Sequence, residues 1–277
     1  MKSGKIKIPS VSDVTNNYSK IIERVFLNNY QDGVQRVEFS RDQLIEAANA
    51  LEISLPKNLG DIIYSFRYRT PLPSAITEKA TSGAEWVIRP AGKAKYAFAL
   101  VSSSAFTPNP NLIYTKIPDS TPGLIDKYSI SDEQALLAKI RYNRLIDVFT
   151  GVTCYSMQNH LRTSVPGIGQ IETDEIYIGI DKLGRHYIIP VQAKGKKDKL
   201  GLIQIEQDFA LCKHRFCDLI CCPIAAVFLT DGTIALFRFQ IQDAVVQIAE
   251  ERHYRLTQQE QLSAQEIIEY NLRLDNQ

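Results

Sequence analysis

The sequence has no long hydrophobic run and no excess of charge of either sign. Among its 277 residues, 32 Lys and Arg stand against 31 Asp and Glu, which gives a formal net charge of +1. No stretch approaches the roughly 20 apolar residues of a membrane span, and "MKSGKIKIPS" lacks the apolar segment of a secretory signal. We therefore expect a cytoplasmic protein without a membrane partner, which meets anionic partners through local patches.

Cysteine is also scarce, and its arrangement does not suit a disulfide framework. There are five cysteines, an odd number, and four of them fall within "CKHRFCDLICC". Reduced thiols in a reducing compartment are the simpler interpretation. A zinc site from Cys212, His214, Cys217 and Cys221 is the alternative, although the segment lacks a CxxC knuckle.

The first hundred residues follow the order helix, strand, helix, helix, hairpin. Apolar residues recur at helical spacing in "VSDVTNNYSKIIERVFLNN", and "VQRVEF" is typical of a strand. Ser40 and Gln43 form a capping box before "DQLIEAANAL". A second helix is predicted in "NLGDIIYSFRYR", and "EWVIRP" and "KYAFALV" flank the turn "AGKA".

This order resembles a winged helix-turn-helix, which implies that residues 1–102 bind DNA. Such a domain presents one helix to the major groove and its hairpin to flanking DNA. The residues that would contact DNA here are Asn58, Tyr64, Arg67 and Arg69 on the second helix and Lys93 and Lys95 on the hairpin. A small α+β scaffold with solvated arginines is the alternative.

A change of composition separates this segment from the rest of the chain. Residues 103–130 are rich in Pro, Ser and Thr and lack periodicity, so we predict a linker between domains. From Ser131, "SDEQALLAKIRYNRLIDVF" has an N-cap, early acids and an apolar stripe, which predict one long helix.

Two later segments predict a hairpin whose register brings polar side chains together. The strands are "IETDEIYIGI" and "RHYIIPVQAK", joined by a short loop in which Gly184 suits a left-handed residue. A three-residue loop places Asp174 opposite Gln192 and Glu172 opposite Lys194. A two-residue loop would put Glu175 on that face instead of Asp174.

Two acids, an amide oxygen and an ammonium group suit phosphodiester hydrolysis. Carboxylates hold a hard cation such as Mg²⁺, which polarises phosphate and lowers the pKa of water. A nearby lysine stabilises the charge that develops on phosphorus. Lys196, Lys197 and Lys199 follow within five residues of Lys194 and would hold the DNA backbone.

Asp174, seventeen intervening residues and "QAK" resemble the signature of the PD-(D/E)XK nucleases. The predicted order of elements over residues 131–240 resembles the αβββαβ core of that family. The resemblance implies an α/β fold (α+β overall) with a mixed central sheet in a nuclease domain of residues 131–277. Together with the winged-helix-like segment, the chain resembles a restriction endonuclease.

The resemblance also assigns roles residue by residue. Asp174 would be the principal metal ligand, Gln192 would stand at the usual acidic position, and the Ala193 carbonyl would complete the set. Lys194 would be the catalytic lysine. Glu172 or Glu175 would compensate for the charge that Gln192 lacks, and the choice between Asp174 and Glu175 stays open. Secondary candidates are Gln204 on the next predicted helix, and Asn159 and Arg162 in "QNHLRT", which would line the DNA cleft.

The function implied is a Mg²⁺-dependent, sequence-specific double-stranded DNA endonuclease of the type II restriction kind. Two-fold symmetry of the duplex favours a homodimer, and a restriction role implies a partner DNA methyltransferase. Gln192 keeps open a catalytically weak or inactive DNA-binding defence protein. A structure-specific repair or junction nuclease is a further alternative.

Overall fold

The computed structural model describes residues 11–129, 132–196 and 198–273, without the side chains of residues 11–16 and 132. The chain forms two compact units, Met1–Ser104 with Pro166–Gly169 and Ala105–Val165 with Gln170–Gln277. Lys197 lies outside the described residues. No helix in the described ranges is both long and apolar enough to cross a membrane.

The first unit has the predicted order of elements. Its elements are α1 (Val11–Asn29), β1 (Arg36–Ser40), α2 (Arg41–Ala50), α3 (Gly60–Tyr68), α4 (Ser74–Thr77), β2 (Glu85–Gly92) and β3 (Lys95–Val101). The strands form an antiparallel sheet in the order β1-β3-β2. Phe26 packs its ring edge-on against Trp86 and Phe98 at the centre of this core. The predicted capping box of Ser40 and Gln43 is confirmed, since both of its hydrogen bonds are present.

The second unit contains more elements than the sequence predicted. They are β4 (Ala105–Phe106), β5 (Tyr114–Pro118), α5 (Gly123–Tyr128), α6 (Asp132–Tyr142), α7 (Leu145–Thr150), β6 (Thr153–Val165), β7 (Gly169–Ile180), β8 (His186–Lys194), β9 (Leu200–Gly201), α8 (Leu202–Arg215), β10 (Ile220–Cys221), β11 (Ile224–Phe228), β12 (Ile234–Gln242), β13 (Val245–Thr257), a 3-10 turn (Gln259–Gln261) and α9 (Ala264–Asn271). Helix, three strands, helix and strand follow one another from α6 to β11, with short elements inserted.

A mixed sheet forms the centre of this unit, as predicted. Its strand order is β5-β13-β12-β11-β8-β7-β6, with β10 beside β8. β8 runs parallel to β11 and antiparallel to β7, so the end of β8 lies inside the sheet rather than at its edge. Helices α6 and α7 cover one face through Leu136, Ile140 and Leu145, which pack with Val191 and Leu236.

Two predictions about this region need correction. The helix expected over residues 131–149 is two helices, because Arg144 adopts a left-handed conformation with φ of 50° between α6 and α7. The segment 103–130, expected to be a linker, carries β4, β5 and α5, and β5 pairs with β13 in the main sheet. The boundary between the units follows Ser104.

The predicted register of the β7–β8 hairpin is confirmed. Glu175 pairs with Val191 and Ile180 with His186, the register that the three-residue loop gives, and the ladder stops one position short of Asp174 and Gln192. Gly184 has a φ of 77° and its N–H donates to the carbonyl of Asp181 at 3.0 Å. Because a residue with a Cβ resists this conformation, Gly184 selects the three-residue loop and hence the register.

Substitution of Gly179 on β7 is expected to destabilise the second unit. An added Cβ would lie 2.6 Å from Val152 Cγ1 and 3.2 Å from Cys154 Sγ, both buried. Gly179→Ala should therefore lower the unfolding free energy by about 1–3 kcal/mol, the usual cost of overpacking. Urea unfolding followed by circular dichroism measures this. Gly123→Ala, where an added Cβ meets nothing within 4 Å, is the matched control, and equal losses in both variants would contradict the packing described.

Candidate active site

The hydrogen-bonded ladder between β7 and β8 ends just before the predicted site. We call the region beyond it, residues 172–174 of β7 and 192–194 of β8, the fork. Among the described residues, the last paired positions of the ladder are Glu175 and Val191. Beyond them, the Asp174 carboxylate accepts a hydrogen bond from the Ala193 N–H at 2.8 Å. The Gln192 Nε2 group donates to the Glu172 carbonyl at 3.2 Å. Beyond the end of the ladder, two polar side chains thus each bond a backbone group of the other strand.

Asp174, Lys194 and Glu133 come together at this fork. The Lys194 Nζ lies 3.5 Å from Glu133 Oε1, and only 12% of the lysine side chain is exposed. Burial raises the pKa of Asp174, while the Ala193 N–H and the Lys194 charge partly oppose that rise. Burial likewise raises the pKa of Glu133, which senses both Lys194 and Asp174. The cluster thus contains two partly buried acids, of which Glu133 is paired with Lys194 and Asp174 interacts with the lysine charge.

Glu133 was missed by the sequence interpretation, which treated "SDEQ" only as the start of a helix. It is the second residue of α6 and lies in the first turn of that helix. The signal that could have found Glu133 is the chain topology. A helix such as α6 can begin at the same end of the sheet at which the third strand after it, β8, finishes. No local motif in "SDEQ" identifies a catalytic acid.

Gln192 and Asp208 form a buried polar pair beneath the cluster. Gln192 Nε2 lies 3.1 Å and 3.0 Å from the two carboxylate oxygens of Asp208, and Thr173 Oγ1 donates to Asp208 at 2.7 Å. Asp208 is fully buried and Gln192 is 1% exposed. Burial raises the pKa of Asp208 to about 7, although the donors from Thr173 and Gln192 act in the opposite direction. This pair could not be predicted from local sequence, because Asp208 on α8 meets Gln192 on β8 only in the folded protein.

Gln204, a secondary candidate, also faces this pair. Its Oε1 accepts from the Gly201 N–H at 3.4 Å, and its Nε2 lies 3.5 Å from Gln192 Oε1. The second contact is at the limit of hydrogen-bond length and is therefore weak. Gln204 is thus close to Gln192 and fixes the first turn of α8.

Glu172 and Glu175 are both engaged away from Lys194. Glu172 pairs with His160 at 3.0 Å and with Arg162 at 3.2 Å on β6. Glu175 is fully buried and pairs with Arg141 at 2.9 Å on α6. Of the two neighbouring acids that the hairpin register left open, Asp174 is the one whose pKa the Lys194 charge lowers.

The other predicted contacts of the second unit lie around this region. Lys196 is exposed, with Nζ 5.2 Å from the centroid of the Phe228 ring, and Lys199 is exposed in the same loop. Asn159 is exposed and accepts from Arg141 Nη2 at 3.2 Å, and Arg162 is 59% exposed in its pair with Glu172.

In the first unit, the predicted DNA contacts differ in exposure. Tyr64 is 41% exposed, and the exposed Arg69 guanidinium stacks 4.9 Å from its ring centroid. Lys93 and Lys95 are exposed at the β2–β3 turn. Arg67 is different: its Nε donates to the Ile88 carbonyl at 3.0 Å, and burial lowers its pKa.

The side chain of Asn58 forms hydrogen bonds that stabilise the start of α3. Its amide nitrogen donates to the Asp61 carboxylate at 2.8 Å, and its amide oxygen accepts from the Gly60 N–H at 3.1 Å. The Asn58 side chain therefore secures the first turn of α3, and the helix presents Tyr64 and Arg69 from that fixed base.

The donor set at the fork suits a hard cation better than zinc. In the described part of the chain, no group of three or more His, Cys, Asp and Glu side chains is arranged to hold a metal ion, and this includes the cysteine-rich segment. The ligand set that the family resemblance implies consists of the Asp174 carboxylate, the Gln192 amide oxygen and the Ala193 carbonyl, and Gln192 and Ala193 are buried here. Oxygen donors of mixed charge are those that Mg²⁺ accepts alongside several waters.

No protein-family model matches the chain, and the searches of curated proteins and of solved structures gave no match either.

The pH dependence of stability is expected to report on Asp208. Its pKa rises from the ordinary 3.8 to about 7 on folding, so the folded protein disfavours the ionised form. The contribution to stability is complete below about pH 4 and is lost as pH rises through 7. Between pH 5 and 8, the unfolding free energy of the wild type should fall by on the order of a few kcal/mol because of Asp208. Asp208→Asn has no carboxyl group at this position and should not show this decrease. Urea unfolding of both chains in EDTA at the two pH values measures this, and parallel pH profiles would contradict it.

Proposed function

We propose that this chain is a Mg²⁺-dependent endonuclease that hydrolyses phosphodiester bonds of double-stranded DNA. The observation that carries the proposal is the fork, where Asp174, Lys194 and Glu133 meet beside the Gln192 amide. The resemblance of Asp174 and "QAK" to the PD-(D/E)XK signature agrees with this position, and so does the order of elements from α6 to β11.

Mg²⁺ would be held by the Asp174 carboxylate, the Gln192 amide oxygen and the Ala193 carbonyl. When bound, it supplies positive charge that polarises the phosphate and makes water more acidic. Asp174 is kept in place for this task by the Ala193 N–H, which fixes one of its oxygens at 2.8 Å. A fixed carboxylate loses little conformational freedom when a cation binds.

Lys194 and Glu133 would handle the attacking water and the charge on the phosphate. Lys194 is held within 3.5 Å of Glu133 and is mostly buried, so its ammonium group interacts strongly with a phosphate placed over the fork. It would stabilise the negative charge that builds up as the water oxygen bonds to phosphorus and the bond to the leaving oxygen breaks. Glu133, whose pKa is raised by burial, would accept a proton from that water.

Duplex DNA is the proposed substrate because exposed cations occur in both units. Arg69, Lys93 and Lys95 lie on the winged-helix-like unit, and Lys196 and Arg162 lie around the fork. The net charge of +1 does not steer DNA to the protein, so these local groups would provide the attraction. Cutting both strands requires two sites, which favours a homodimer, and a restriction role would add a partner methyltransferase.

One observation favours a second candidate, an inactive or weak nuclease fold that binds DNA. Gln192 brings no charge to the metal site, and its Nε2 is held by Asp208. A structure-specific nuclease shares the chemistry proposed here and differs only in substrate. Both are distinguished by the digestion described next.

Incubation of linear, supercoiled and branched duplex DNA with the purified chain tests the proposal. We expect cleavage with Mg²⁺, none with EDTA, and at least a hundredfold loss of rate in Lys194→Ala with DNA binding nearly unchanged. Lys213→Ala, an exposed lysine on α8, is the matched control and should cleave normally.

Each alternative gives a different result in that experiment. A band shift without cleavage in Mg²⁺ would favour the inactive DNA-binding protein. Cleavage confined to branched substrates would favour the junction nuclease. Cleavage that persists in Lys194→Ala would show that the fork is not the active site.

Substitution of Arg69 tests the proposed DNA contact of the first unit. Arg69 is exposed, so Arg69→Ala should weaken duplex binding several-fold and reduce the salt slope by about 1, the effect of losing one phosphate contact. Fluorescence anisotropy over a range of salt concentrations measures both. Lys20→Ala, an exposed residue of α1, is the control. An unchanged salt slope in Arg69→Ala would rule out this contact.

A further inference from the structure

We infer that His160 on strand β6 is a further substrate-binding residue of the site, whose imidazole binds a phosphate group of the DNA while Glu172 holds the ring at the fork. The inference rests on the proposed function, because it names a contact to the DNA that the fork would cleave. It gives Glu172 the role of holding a ligand-binding side chain rather than of binding metal.

The backbone of His160 has a conformation that is unusual inside a strand. Its φ is 52°, in the left-handed region that is unfavourable for a residue with a Cβ. Among the described residues, the other non-glycine residues with positive φ lie at turns or helix ends and are Glu52, Ala94, Arg144, Asp243 and Ala244. Strained residues persist where the surrounding structure holds them, and they concentrate at functional sites. The strain at His160 therefore indicates a task for its side chain.

The side chain of His160 reaches the fork. Its Nε2 lies 3.0 Å from Glu172 Oε1, and the side chain remains 53% exposed. Arg162, two residues further along β6, binds both oxygens of the same carboxylate at 3.2 Å. Leu161 between them is buried, so the two polar side chains meet on one acid while the apolar one packs inward. Glu172 thus fixes the His160 ring, and the ring stays open to a ligand.

The second nitrogen of the ring suits a phosphate oxygen. Because Nε2 faces Glu172, Nδ1 is the nitrogen that is left for a ligand. A protonated imidazole donates from both nitrogens, and histidine changes its charge between pH 5 and 8. A hydrogen bond from a charged Nδ1–H to a phosphate oxygen is stronger than one between neutral groups.

The charged groups around the ring allow it to attract an anion. They are Glu172 and Asp174 on β7, Arg162 on β6 and Arg141 on α6, which bonds the residue before His160. Since the two acids and the two arginines cancel, a protonated ring adds one positive charge. The His160 charge acts against the rise in the pKa of Asp174, so this positive charge lies close to the proposed metal ligand. A phosphate bound at Nδ1 would therefore lie beside the fork.

Replacement by glycine and by alanine tests the backbone part of the inference. Glycine adopts a positive φ without the penalty of a Cβ, so the unfolding midpoint of His160→Gly should lie about 2–4 °C above that of His160→Ala. Thermal unfolding followed by circular dichroism, in EDTA and without DNA, measures this. An alanine variant at least as stable as the glycine variant would show that residue 160 is not held in a left-handed conformation, and would overturn the inference.

Duplex binding tests the phosphate contact. Affinity for a fluorescein-labelled duplex, measured by anisotropy in EDTA, should fall about fivefold at pH 6 in both His160 variants and about twofold or less at pH 8. The loss is smaller at pH 8 because the wild-type ring gives up its proton as pH rises. His186 is exposed at the other end of β8, and His186→Ala is the control that should bind like the wild type at both pH values.

The outcomes separate this inference from the proposed function. Wild-type affinity of both His160 variants at pH 6 would overturn the phosphate contact and leave the nuclease proposal intact. An equal loss at the two pH values would show that the ring only supports the structure, and would also overturn it. Failure of the wild type to bind the duplex at either pH would count against the proposed function itself. If His160→Ala does not fold, His160→Gly alone decides the binding test by the same criteria.

Discussion

Buried backbone groups must keep hydrogen-bond partners, and the fork between β7 and β8 depends on that constraint. Where the ladder ends at Glu175, the Ala193 N–H donates to the Asp174 carboxylate and the Glu172 carbonyl accepts from Gln192 Nε2. The same contacts that prevent a costly unsatisfied group also fix the two side chains that the proposed chemistry needs.

The rest of the second unit holds this fork in position. β8 lies inside the sheet between β7 and β11, and its pairing with β11 continues to Lys194. Helix α6 packs on one face through Leu136 and Ile140 and carries Glu133 to Lys194. The other helix, α8, brings Asp208 to Gln192. The fork is therefore a meeting point of two strands and two helices that are distant in sequence.

Local signals in the sequence predicted the parts of the site that depend on neighbouring residues. Gly184 selected the hairpin loop and thus the register of Asp174 and Gln192, and Ser40 with Gln43 predicted the start of α2. Glu133 and Asp208 could not be found in this way, because their roles arise from packing between elements. The break at Arg144 was missed for a related reason, since the apolar stripe continues across it and only the fold decides that the chain turns. The pairing of β5 with β13, residues more than a hundred positions apart, likewise left no local pattern in "NLIYTKIP".

The central claim is that the fork holds a divalent cation through Asp174. X-ray diffraction from crystals soaked in Mn²⁺, with anomalous data at the manganese edge, tests it most directly. The account predicts one strong anomalous peak at a coordination distance of about 2.2 Å from the Asp174 carboxylate, next to the Ala193 carbonyl and absent in Asp174→Ala. A peak elsewhere in the chain with none at Asp174, at saturating Mn²⁺, would contradict it.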